Sequence, residues 1–183
     1  MKVLRKMETE TAALQVGDVI ELKDGYTATC QKVDEDGALF LLDQYLDFRA
    51  PMNDEGTNRG GYYASDLRKW LQGQLDEFLP EDLQEHLGTF EDDDLLRLPY
   101  YDEMFDELDP DYVEPDGMEQ WPLMKDRKNR IAFHRSGDWD WGWLINKRVQ
   151  STTLFCIVDN YGYASHDSAS NFGGVRPAFR IIK

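Results

Sequence analysis

The chain has 183 residues, 41% of them hydrophobic and 13% aromatic, with a formal net charge of −16. That length suits one domain, able to bury roughly 70% of its unfolded surface without a disulfide or metal staple. The aromatic content excludes a wholly disordered acidic chain. No apolar run approaches bilayer-spanning length, and the surplus of carboxylates disfavours nucleic acid or anionic membrane as partner.

The charge is uneven. Residues 76–120 carry 18 of the 36 acidic side chains against a single basic one, Arg97, and the rest of the chain is near neutral. A basic block, 125–135 (KDRKNRIAFHR), follows directly. Two adjacent blocks of opposite sign predict pairing within the chain, pairing with a second copy, or two solvated faces. The start, MKVLRKMETETAALQVGD, has a basic tip with no apolar run behind it, so no signal peptide is expected. The reading is an N-terminal tail over 1–15 and one domain over 16–183. Cys30 and Cys156 lie in strand-like runs and read as reduced core residues.

In chain order, 16–22 and 26–33 read as strands around a turn at Lys23-Asp24-Gly25. A second turn, Asp34-Glu35-Asp36-Gly37, leads into ALFLLDQYL, a continuous apolar run that suits a buried strand. Residues 47–64 form a long loop. A helix over 66–79 starts at Ser65, a good N-cap, and aligns Leu67, Trp70, Leu71, Leu75, Phe78 and Leu79 on one face. Pro80 ends it and opens a second helix over 81–87, which stops at Gly88. A short strand at 95–98 and a short helix at 100–108 precede the breakers Pro110, Pro115 and Gly117. Strands at 131–133, 141–145, 153–158 and 175–182 follow. Strands at both ends and helices between them give an α+β fold, with the terminal strands sharing a mixed or antiparallel sheet.

The chemistry-bearing motifs are sparse. His86, His134 and His166 are scattered and show no metal-ligand spacing. Asp92-Asp93-Asp94 lacks the alternation and glycine of a calcium loop and reads as a charged turn or helix start. No nucleophile elbow or phosphate-cradling glycine loop occurs, so neither a metal nor a cofactor is expected. Two aromatic stretches stand out instead. In DWDWGW, Trp139, Trp141 and Trp143 alternate with small or acidic residues, which stacks three indoles on one face of an extended chain. Trp143, followed by Leu144 and Ile145, reads as core; for Trp139 and Trp141, core and exposed face both remain open. The stretch 159–172 (DNYGYASHDSASNF) has the Tyr, Ser and Asn composition of adaptable binding loops, or of an ordinary surface loop.

Three segments together resemble a known family. Ser65–Leu71 (SDLRKWL) looks like an S-x-L-R-x-W-L helix start. Leu95–Phe105 (LLRLPYYDEMF) is similar to an LLS-x-x-E segment, with Pro99 in place of the serine. Trp143-Leu144-Ile145-Asn146 and the closing Gly173-Gly174-Val175-Arg176-Pro177-Ala178-Phe179 resemble W-W-L-R-S and G-V-R-P-A-F blocks, with Ile145 and Asn146 replacing the arginine and serine. These blocks belong to the bacterial and phage family called domain of unknown function 6273. The resemblance implies a C-type-lectin-like fold, as in formylglycine-generating enzymes and phage receptor-binding proteins, with paired chain ends and recognition by long loops. It implies structural roles for Ser65, Arg68, Trp70 and Trp143. It also implies that Arg176 ties a loop down through backbone carbonyls and that Pro177 begins the last strand. The enzymatic branch does not carry over, because Cys156 has no cysteine partner nearby.

The expectation is therefore a non-enzymatic recognition module for a glycan or protein surface, in the cytoplasm or on a phage particle. Its binding residues are Trp139, Trp141, Tyr161, Tyr163, His166, Asp167 and Asn171. Two alternatives stand beside it: an enzyme with an unrecognised pocket using His134 or His166, and an interaction protein whose acidic segment mimics a polyanion.

Overall fold

A computed structural model describes residues 14–106 and 112–182. The expected 1–15 tail lies outside these residues except for its last two positions. Residues 107 and 108 of the expected 100–108 helix, and Pro110, also lie outside them.

Among the described residues, eight strands form two antiparallel sheets. The larger has the order β1-β2-β3-β8-β4, built from β1 (Val19–Glu21), β2 (Thr27–Asp34), β3 (Gly37–Leu42), β8 (Ala178–Ile181) and β4 (Leu87–Gly88). The smaller runs β5-β6-β7, from β5 (Gly142–Lys147), β6 (Leu154–Val158) and β7 (Ala164–Ser168). With four short α-helices among the described residues, the fold is mixed α+β. The first and last strands share a sheet, but β8 pairs with β3, not with β1.

The continuous apolar run of β3 is explained by its two neighbours in depth. Ala38, Phe40 and Leu42 enter one hydrophobic cluster, and Leu39 and Leu41 enter a second on the opposite face. Period-two alternation sends successive side chains to opposite faces, so a strand between two cores must be apolar at every position. Phe40 stacks on Phe179 of β8 with ring centroids 5.7 Å apart. Strands β5 and β6 repeat the pattern, Trp143, Phe155 and Ile157 facing the first cluster and Leu144, Cys156 and Val158 the second.

The helical region is more broken than its apolar periodicity predicts. Helix α1 (Asp66–Leu71) passes through a 3₁₀ turn, Gln72–Gln74, into α2 (Leu75–Phe78). The Gln72 side chain is committed elsewhere: its Oε1 accepts from Leu95 N and Leu96 N, at 3.0 and 3.2 Å, and its Nε2 donates to Leu96 O at 2.6 Å. The expected 81–87 helix shortens to α3 (Glu81–Gln84), and Leu87 and Gly88 join the sheet edge. Helix α4 covers only Tyr101–Met104. The 95–98 and 131–133 strands reduce to isolated bridges at Arg97 and Phe133.

The proposed structural residues find partners. Ser65 Oγ caps α1 by accepting from Arg68 N at 3.1 Å. Arg68 grips Asp94 through two N–H groups at 2.6 and 3.0 Å, so the Asp92–Asp94 run anchors a helix. Trp70 packs against the first cluster but is only half-buried. Buried Arg176 donates from Nε to Leu42 O at 2.6 Å and from Nη1 to Asn129 O and Arg130 O at 3.2 and 3.3 Å. Burial pushes its pKa down from the ordinary guanidinium value, and nearby Tyr45 and Asp43 oppose that. Pro177 stands immediately before β8, its carbonyl accepting from Leu42 N at 3.0 Å. The preceding glycines are required by close approach: a Cβ on Gly173 would overlap the Trp141 ring, and one on Gly174 would lie 2.7 Å from Tyr45 Cδ1.

Among the described residues, no ion pair joins the acidic segment to the basic block. Lys128 pairs with Asp126 at 2.8 Å, and Arg135 pairs with Asp47. No described helix is long and apolar enough to cross a membrane.

Candidate functional site

Two tight turns bring four large aromatic side chains to the surface. In the first, Gly137 N donates to His134 O and His134 N to Asp138 O, both at 2.8 Å. This pairs Phe133 with Trp139 across an antiparallel bridge and sets their side chains next to each other. In the second, between β6 and β7, Asp159 Oδ1 accepts from Tyr161 N at 2.9 Å and Tyr163 N at 2.8 Å, the local bonding that makes aspartate a turn former. Trp139 meets Tyr161 edge to face, with centroids 5.7 Å apart and planes at 87°. Arg127 braces the same turn, its Nη1 donating to Tyr161 O at 2.7 Å and its guanidinium lying 4.5 Å over the Tyr163 ring.

The result is a ledge on which Phe133 is 48% exposed, Trp139 52%, Tyr161 55% and Tyr163 54%. Apolar area of this kind normally goes to the core, and here it is held in water by hydrogen-bonded turns. Phe133 and Arg127 are absent from the sequence-based set. Their segment reads as a charge block, and only the alternation around Phe133 hints at a strand bridge.

The remaining predicted residues do not join the ledge. Trp141 is half-buried, stacked edge-on against Trp143 at 4.7 Å and seated on Gly173. Trp143 is buried and donates from Nε1 to Ala50 O at 2.8 Å, so the three indoles grade from solvent to core and do not share one face. The 159–172 stretch is not one loop, because Ala164–Ser168 forms β7 against β6. His166 and Asp167 therefore point to opposite faces of a strand. Asn171 lies past the far end of β7, separated from the Tyr161 turn by about 17 Å of extended chain, with its Nδ2 donating to Asp167 Oδ1 at 2.6 Å.

A polar cavity of about 520 Å³ is lined by Asp47, Arg49, His134, Arg135, Ser136 and Asp138, so it shares with the ledge the turn between Phe133 and Trp139. His134 is fixed at both nitrogens: Nδ1 lies 2.9 Å from Leu46 O and Nε2 3.3 Å from Asp140 Oδ2. A carbonyl only accepts, so the Nδ1 contact requires a proton there. Asp140 Oδ2 also receives Arg49 Nε at 2.7 Å. Ser136 Oγ donates to Asp138 Oδ2 at 2.9 Å. His134 thus holds the cavity wall together and has no nitrogen turned toward Ser136. His166 is likewise engaged, by Tyr112 and Arg148. Among the described residues, no group of three or more histidine, cysteine or carboxylate side chains is placed to hold a metal ion.

Set against protein-family models, curated proteins and solved structures, the chain matches none.

Proposed function

We propose that the chain is a non-enzymatic recognition module, with a C-type-lectin-like fold related to the domain of unknown function 6273 family, in the cytoplasm or on a phage particle. The binding face is the ledge of Phe133, Trp139, Tyr161 and Tyr163, and its ligand is a glycan or a protein surface. One observation carries this reading: the orthogonal Trp139–Tyr161 pair is braced by turns and by Arg127 yet contributes to neither hydrophobic cluster. Rigid aromatic anchors of this type dominate binding energy because they add contact area at little entropic cost. The lectin-like part draws support from the sheet that contains the first and last strands, and from the irregular segments that connect the two sheets. The engaged nitrogens of His134 and His166 weigh against acid–base catalysis at either residue.

The test is a binding screen of glycans and bacterial surface proteins with wild type, Trp139→Ala and Tyr161→Ala. A hot-spot aromatic is worth about 2–4 kcal/mol, so each variant loses roughly 30-fold or more in affinity while its thermal midpoint holds. Retained affinity in both variants removes the ledge as the binding face.

A further inference from the structure

Arg49 also lines a second cavity, of about 460 Å³, with Phe48, Trp70, Asp54, Asp66 and Gln74 among its lining groups. Arg49 lines both cavities, and its side chain is 52% exposed while Nε is anchored to Asp140. Phe48 sits between Asp47 and Arg49 in sequence and is 57% exposed. Trp70, the half-buried indole of α1, lines the same cavity. The two cavities share Arg49 in their lining, and the first also has Asp138, the sequence neighbour of Trp139 of the ledge, in its wall.

We infer that the two cavities act as one cleft, continuous with the ledge, that takes a linear, neutral oligosaccharide, an inference that rests on the recognition reading and names its ligand class. Three features select that chemistry. Phe48 and Trp70 in the second cavity, and exposed Trp139 next to Asp138 of the first, offer flat faces that suit the C–H faces of sugar rings. The polar lining of the first cavity includes one guanidinium–carboxylate pair, Arg135 with Asp47, and Arg49, which is held by Asp140. A sugar hydroxyl both donates and accepts, so it can bond to the two members of such a pair at once. Charge then narrows the class: Asp47, Asp54, Asp66 and Asp138 outnumber Arg49 and Arg135 along the cleft, which repels a polyanion. Each cavity alone is the size of a small-ligand site, so the pair together fits several sugar units and not one.

The test is calorimetric titration of the full chain with glucose, mannose and N-acetylglucosamine oligomers of one to six units, with a uronate hexamer and a lysine hexapeptide as controls. At least one neutral series binds, and its affinity rises tenfold or more from disaccharide to hexasaccharide. Phe48→Ala brings the hexasaccharide down to the disaccharide value, and Trp139→Ala weakens every length. Phe48→Leu, which keeps apolar bulk without the ring, guards against a folding artefact and also loses the gain. Affinity independent of length, or an unaltered hexasaccharide affinity in Phe48→Ala, overturns the cleft while leaving the ledge in place. Unchanged affinity at every length in both Trp139→Ala and Tyr161→Ala overturns both. Failure of every neutral series, with or without binding of a control, overturns the oligosaccharide and leaves the ledge to a protein ligand.

Discussion

Arg97 and Glu103 form a two-point ion pair, Nη1 to Oε2 at 2.7 Å and Nη2 to Oε1 at 2.5 Å, with both side chains almost wholly shielded from water. Arg97 is the only basic residue of the acidic segment, and the structure spends it inside the protein. Its guanidinium lies 4.7 Å from the Phe90 ring and 5.0 Å from the Tyr100 ring. Glu103 Oε2 also accepts from Tyr100 N at 2.8 Å and so caps α4. The pair joins helix start, sheet edge and second core cluster at one point.

Removing one member of such a pair leaves an uncompensated buried charge, which costs about 3–5 kcal/mol. Arg97→Met is expected to fall in that range by urea unfolding. The double variant Arg97→Met/Glu103→Gln keeps the acceptor for Tyr100 N and has no stranded carboxylate, so it recovers part of the loss. A double variant no more stable than Arg97→Met alone contradicts this account.

The two thiols give a second prediction. Cys30 belongs to the first hydrophobic cluster and Cys156 to the second, and both are free. Burial pushes the Cys30 thiol up to about 11 and the Cys156 thiol up to about 12. Thiolate is the reactive form, so neither residue reacts with a thiol reagent at pH 8 in the native protein. Both react on unfolding, and reductant leaves the unfolding midpoint unchanged. Fast native-state labelling of either residue would show that its cluster opens locally.

What the sequence disclosed follows from where the deciding contacts lie. The strand at β3 was legible because a double-sided core leaves a continuous apolar run. Ser65 was legible because capping is local, reaching only to Arg68. The break after α1 was not, since Gln72 bonds to backbone more than 20 residues away. Strand β7 was hidden because it is an edge strand of polar residues, defined by its pairing with β6 and not by any apolar alternation. For the same reason a single stretch, 159–172, merged residues that the structure separates. Composition found Trp139, Tyr161 and Tyr163, while Phe133 and Arg127 reach the ledge through a bridge and a turn that no local pattern encodes.

His166 predicts an acid-sensitive step. Arg148 Nη1 lies 2.7 Å from its Nε2, and Tyr112 Oη lies 2.9 Å from its Nδ1. A guanidinium can only donate, so Nε2 keeps its lone pair and the ring is neutral. Burial first, and the Arg148 charge second, hold the imidazole below its ordinary pKa, with Asp167 opposing them. The unfolded chain takes up this proton near pH 6.5 while the folded chain does not. The stabilisation is therefore complete above about pH 6.5 and is lost as pH falls from there. His166→Gln, which can still accept from Arg148, is expected to flatten the decline in urea midpoint between pH 7 and pH 5. An identical slope in wild type and variant refutes the linkage.

Asp102 and Asp116 predict the opposite sign. Each backbone N–H donates to the other's carboxylate, Asp102 N to Asp116 Oδ2 at 3.2 Å and Asp116 N to Asp102 Oδ2 at 3.4 Å. Asn146 Nδ2 adds a bond to Asp116 Oδ2 at 2.9 Å, and its Oδ1 accepts from Tyr101 N at 2.7 Å. Burial, and then the hydrogen-bonded like charge of Asp116, push the Asp102 carboxyl above the usual carboxylate value. The folded chain thus retains a proton that the unfolded chain has released. The contribution is favourable below the ordinary carboxylate value of about 4 and is lost as pH rises through the folded value. At neutral pH the two carboxylates repel. Asp102→Asn keeps an acceptor for Asp116 N and removes that repulsion, so it is expected to exceed wild type in urea midpoint at pH 7. The advantage shrinks as pH approaches 4, where Asp102 of the wild type is protonated. A variant less stable than wild type at pH 7, or an advantage unchanged down to pH 4, would mean that Asp102 contributes through its backbone geometry and not through its charge.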